Sequence, residues 1–86
     1  MSVTIRVFGP DPPCAKCKAA EKVAREVAQK VEGVTVKKYD AFSEEAEKFN
    51  IMMTPAVLVN DTAVEMGKVP SAEKLEKAVR NELEKG

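Results

Sequence analysis

Four apolar residues in a row, Ala56-Val57-Leu58-Val59, follow Pro55 and stop at Asn60 and Asp61. A strand with one wet face alternates apolar and polar side chains, whereas a strand covered on both faces reads as an unbroken apolar run. This segment therefore belongs inside a sheet with a layer on each side. A chain of 86 residues must supply those layers from the rest of its own sequence.

The remaining periodicities provide them. Residues 3–8, Val-Thr-Ile-Arg-Val-Phe, place Val3, Ile5 and Val7 in alternation with Thr4, Arg6 and Phe8, a strand that Gly9-Pro10-Asp11-Pro12-Pro13 ends. A helix follows. Its apolar stripe is Val23, Ala24, Val27, Ala28 and Val31, with Glu21/Arg25 and Glu26/Lys30 four apart on the outer side and Gly33 as the stop. Val34 to Asp40 read as a second strand, and Tyr39 is expected to end it with its ring packed and its hydroxyl in water. Ser43 can cap a short helix whose first turn carries Glu44 and Glu45, and Phe49 and Ile51 close that helix on the core. Residues 56–60 and 63–66 form a hairpin around Asn60-Asp61-Thr62. Gly67 to Pro70 are a loop, and Ser71 caps a last helix phased by Leu75, Ala78, Val79 and Leu83.

The order is β-α-β-α-β-β-α. A right-handed crossover makes the first two strands parallel, and the hairpin adds antiparallel partners. The expected architecture is α/β, a four-stranded mixed sheet with helices on both faces, in one domain over residues 1–86. Fourteen basic and 14 acidic side chains cancel and are interspersed, so neither a nucleic acid nor an anionic membrane is an expected partner. No basic leader precedes a long apolar run, and no apolar stretch reaches membrane-span length, which points to a cytoplasmic protein.

The only two cysteines are Cys14 and Cys17, and there is no histidine. In a reducing compartment such a pair is catalytic, metal-binding or simply buried, rather than a structural staple. The chain-entropy model gives a four-residue loop roughly 1.9 kcal/mol, against about 4.7 for a hundred-residue loop. Side chains at i and i+3 on a helix root about 5–6 Å apart, within the roughly 4.4–6.8 Å that a disulfide spans between Cα atoms. The bond can open and close with little backbone movement. Cys14, at the helix start, lies where unpaired N–H groups and the dipole favour a thiolate, with a minor contribution from Lys16 and Lys18. Cys14 is thus expected to attack and Cys17 to resolve the mixed disulfide, with no metal or cofactor.

A strand, a proline-containing loop, Cys14-Ala15-Lys16-Cys17 opening a helix, and Thr54-Pro55 just before an apolar strand resemble the thioredoxin/glutaredoxin superfamily. More narrowly, the chain resembles the small glutaredoxin-like thioredoxins of archaea and bacteria over essentially its whole length. The resemblance implies a cis bond at Pro55 beside the cysteines and a substrate strand pairing with the backbone at Thr54. It also implies an apolar docking rim from Met52, Met53, Val69 and Pro70, with Pro13 and Lys16 modulating the pair. Disulfide-containing protein substrates, a reductase as electron donor and a monomeric state follow from it. The chain departs from common members of the superfamily: Pro13 rather than tryptophan precedes Cys14, Ala15-Lys16 replaces Gly-Pro or Pro-Tyr, and Gly67-Lys68-Val69-Pro70 replaces a glutathione-holding Gly-Gly segment.

The competing reading is a Cu(I) chaperone of βαββαβ fold, which also carries C-x-x-C at a strand-to-helix junction. Pro12 stands where such proteins carry a methionine, and the predicted last element is a helix. A structural zinc site needs four ligands, which two cysteines without histidine do not supply within one chain.

Overall fold

The structure is a computed structural model that describes residues 3–9 and 15–85. Pro13 and Cys14 lie outside the described residues. Seven elements follow in order: β1 (Val3–Gly9), α1 (Ala15–Lys30), β2 (Val34–Asp40), α2 (Glu44–Lys48), β3 (Ala56–Val59), β4 (Thr62–Met66) and α3 (Ala72–Lys85). The strands form one mixed sheet in the order β2-β1-β3-β4, with β1 parallel to β2 and antiparallel to β3, and β3 antiparallel to β4.

All four residues of β3 are buried, as an apolar run without alternation requires. Val57 and Val59 join Val3, Ile5 and Val7 of β1 beneath α1 and α3, which contribute Ala20, Ala24, Val27, Leu75 and Val79. Ala56 and Leu58 face the other way with Phe8, where Ala46 of α2 and the rings of Tyr39 and Phe49 cover them. Phe8 stacks on Tyr39 at 5.0 Å between centroids and meets Phe49 edge-on at 6.1 Å. One face of the sheet therefore carries two long helices and the other a single five-residue one.

The caps expected at Ser43 and Ser71 are both present. Ser43 Oγ accepts the Ala46 N–H at 3.3 Å, and Ser71 Oγ accepts the Lys74 N–H at 3.1 Å. The Glu21–Arg25 pair forms at 2.9 Å. Three details differ from the sequence reading. The Tyr39 hydroxyl is not simply in water: it accepts a 2.7 Å hydrogen bond from Arg6, whose guanidinium also lies 5.1 Å from the Phe49 ring centroid. The strand opening the hairpin's second arm starts at Thr62, and the register slips between Val57/Glu65 and Leu58/Ala63. This bulge leaves Val64 packed against the core under α3, while Glu65 pairs with Lys74 of that same helix at 2.9 Å. Finally, Asn60 takes a left-handed conformation (φ 54°) and ties the β3–β4 turn to β1. Its N–H donates to the Thr4 carbonyl at 2.8 Å, and its Oδ1 accepts the Thr4 N–H at 3.0 Å.

Candidate functional site

The sheet register decides which loops meet. Phe8 lies opposite Tyr39 on one side and Ala56 on the other, and Ala56 lies opposite Met66. The carboxyl ends of β1, β2 and β4 and the amino end of β3 therefore share one edge of the sheet. At that edge converge Gly9, the first turn of α1 with Lys16 and Cys17, the turn after β2 at Ala41 and Phe42, residues 52–55, and Gly67.

Cys17 is buried, with 2% of its surface exposed, while its neighbours Lys16 and Lys18 are exposed. Its seat is the end of β1. A Cβ built on Gly9 would stand 2.9 Å from Cys17 Sγ and 3.1 Å from its Cβ, far inside ordinary contact. The glycine lets the thiol lie directly on the strand backbone, and the Gly9 carbonyl accepts the Ala41 N–H at 2.9 Å, which binds the following turn to the same place. Sequence reasoning treats Gly9 only as the end of a strand. The signal that finds it is a glycine closing a strand shortly before C-x-x-C, and its meaning depends on how α1 lies over the sheet.

The Thr54–Pro55 peptide bond is cis, and Pro55 is fully buried whereas Thr54 is partly exposed. The Pro55 carbonyl accepts the Gly67 N–H at 2.8 Å, so the segment before β3 is braced by the residue after β4. Gly67 has φ 82°, a conformation costly for any side chain, and its Cα faces Met53, whose Cβ, Sδ and Cε would all lie 3.4 Å from an added methyl. Met53 is 58% exposed and Met52 86%. Of the four residues expected at the rim, Pro70 is buried, and Val69 is partly exposed with part of its side chain packed on the core. Among the described residues no charged side chain is buried, and Asp40 is exposed, its Oδ1 accepting the Phe42 N–H at 2.9 Å.

A mixed sheet in the order β2-β1-β3-β4, with a buried cysteine in the first turn of α1 and a cis-proline leading into β3 at the same end of the sheet, defines a protein of the thioredoxin fold class. Solved structures agree. A malarial protein superposes with a TM-score of 0.73 at 18% identity, covering 96% of this chain and 99% of its own. Chloroplastic thioredoxin z gives 0.74 at 19% identity over 99% and 80%. Oxidised thioredoxin from Plasmodium falciparum gives 0.68 at 22% over 94% and 81%. A search of curated protein sequences returns no match. The sequence model for the thioredoxin domain matches residues 3–80, and the chain belongs to that family. Membership supports a thioredoxin-like redox function. The terminal helix α3 also separates this fold from the βαββαβ arrangement of soft-metal chaperones.

Proposed function

We propose that this protein is a thiol–disulfide oxidoreductase that reduces protein disulfides through a reversible Cys14–Cys17 couple. The observation that supports it best is the seating of Cys17 on Gly9 at the sheet edge where Met53, Thr54 and Pro55 also lie. In the sequence Cys14 comes directly before Ala15, the first residue of α1, and a helix start favours an anion. Its thiolate attacks one sulfur of the substrate disulfide and expels the other as a thiolate, which takes up a proton. Cys17, as thiolate, then attacks the Cys14 sulfur, and the second substrate thiolate leaves and is protonated. The substrate gains two electrons and two protons, the protein becomes the disulfide, and a reductase returns the two electrons. Lys16 and Pro13 modulate the pair. Thr54 presents backbone to the substrate chain, and Met53 gives it an apolar contact. The protein acts as a cytoplasmic monomer of one domain without a bound cofactor; among the described residues no helix is long and apolar enough to cross a membrane.

Reduction of insulin by the reduced protein tests this directly. Activity is expected to vanish in Cys14→Ser, while Cys17→Ser traps substrate as a mixed disulfide. Undiminished turnover in Cys14→Ser, or no trapped adduct in Cys17→Ser, refutes the assigned roles.

A further inference from the structure

Gly9 closes β1 and is itself buried, so a side chain there would point into filled space. The atoms that a Cβ built on it would meet both belong to Cys17: Sγ at 2.9 Å and Cβ at 3.1 Å. Neither partner has room to yield. Gly9 lies opposite Asp40 in the β1–β2 ladder, its carbonyl accepts the Ala41 N–H at 2.9 Å, and Phe8 beside it is fully buried against the Tyr39 and Phe49 rings. The helix is held as well, because Ala20, Ala24 and Val27 of α1 share one core with Val3, Ile5 and Val7 of β1. In an interior packed to this density the position of the sulfur is set by a contact that exists only because residue 9 has no side chain.

Placement matters most for the second sulfur transfer. The first attack is bimolecular and falls on a disulfide that arrives from solution. The second is an attack within one chain, where alignment of the reacting atoms carries the rate and a misplacement of about 1 Å can cost on the order of a hundredfold. Among the described residues no charged side chain is buried, so none of them assists Cys17 by charge from inside the core. What these surroundings contribute to the sulfur is its position.

We propose that Gly9 is a positioning residue for the resolving step: its missing side chain holds Cys17 Sγ where it attacks the Cys14 sulfur of a mixed disulfide, and it leaves the first attack by Cys14 unaffected. The inference rests on the oxidoreductase reading and deepens it, by giving control of one of the two steps to a residue outside the C-x-x-C segment.

Rapid mixing of the reduced protein with one equivalent of an aromatic disulfide whose thiolate product is coloured separates the steps. In the first phase the Cys14 thiolate breaks the S–S bond of the reagent; one coloured thiolate leaves and the other half stays bonded to Cys14. In the second, Cys17 gives its proton to solvent and attacks the Cys14 sulfur; the second coloured thiolate leaves, and the chain is bridged and two electrons poorer. Gly9→Ala is expected to keep the first-phase rate within about twofold and to slow the second phase at least about tenfold, a difference that vanishes in concentrated urea, where the contact is gone. Ala41→Pro removes the N–H that fixes the Gly9 carbonyl and adds no atom at residue 9. It is expected to slow the second phase alone by about two- to fivefold, and it carries the test if circular dichroism shows Gly9→Ala to be unfolded. An unchanged or faster second phase, an equal slowing of both phases, or a difference that persists in urea overturns the positioning role and leaves the redox reading standing. Wild-type protein that ends with the label still bonded to Cys14 and no bridge, as read by mass spectrometry, overturns the redox reading and the positioning role with it.

Discussion

Replacing Gly9 with alanine adds one methyl group to the chain and aims it at Cys17. The built Cβ lies 2.9 Å from Sγ and 3.1 Å from the cysteine Cβ, whereas relaxed carbon contacts lie at about 3.5–4.0 Å. The cysteine must therefore retreat by roughly 0.5–1 Å, yet it is 2% exposed and sits on a helix whose next turns are packed by Ala20 and Ala24. Overpacking of this kind costs about 1–3 kcal/mol. For a domain of this size each kcal/mol moves Tm by about 4–8 °C, so a fall of roughly 5–20 °C is expected in thermal unfolding of the reduced protein followed by circular dichroism. Gly9 lies within β1 and outside the left-handed region, so an alanine there has no backbone penalty and by propensity alone would stabilise by about 0.5–1 kcal/mol. The sign of the change thus separates the contact from the propensity. Removing the sulfur restores room: Cys17→Ala in the Gly9→Ala background is expected to recover about 1 kcal/mol or more relative to the sum of the single changes. A Gly9→Ala protein as stable as the wild type, or strict additivity in that cycle, refutes the reasoning.

Gly67→Ala is expected to cost about 1–2 kcal/mol in urea unfolding because φ is 82°, and Met53→Ala should give no relief since the 3.4 Å contacts are ordinary ones. Relief by Met53→Ala would move the cause from backbone to packing. Tyr39→Phe removes the acceptor of the Arg6 hydrogen bond while keeping the stacked ring, and should cost about 1 kcal/mol, with a loss below a few tenths showing that water replaces the hydroxyl. Glu65 has its carboxyl lowered from the ordinary 4.5, chiefly by the hydrogen bond from Lys74. A lowered folded-state value means that the pair stabilises fully above the unfolded value and is lost as pH falls through the folded one, so wild type and Lys74→Gln should converge in stability on acidification. A gap between them that persists at pH 2 would place the Lys74 effect in packing instead.

What the sequence by itself determined is local or strongly periodic. The apolar run at 56–59, the stripe from Ala24 to Val31 and the serines at 43 and 71 each carry their information within a few residues, where backbone preference and one hydrogen bond decide the outcome. Thr54-Pro55 and the cysteine spacing were legible in the same way, as short motifs at element boundaries. What only the tertiary structure decided involves residues far apart in the chain. The Tyr39 hydroxyl found Arg6 because β1 and β2 pair in parallel with Phe8 opposite Tyr39, so the two side chains meet across 33 positions. Pro70, expected at the rim, is buried, an outcome set by how the chain between β4 and α3 packs. Gly9 became the floor for Cys17 because α1 descends onto the very end of β1, a distance no periodicity encodes. Phe42 is in water beside a helix of five residues whose one buried side chain, Ala46, packs with Phe8, Ala56 and Leu58. Short-range torsional and capping energies choose elements one at a time, whereas register and helix placement are set by a core that all elements fill together.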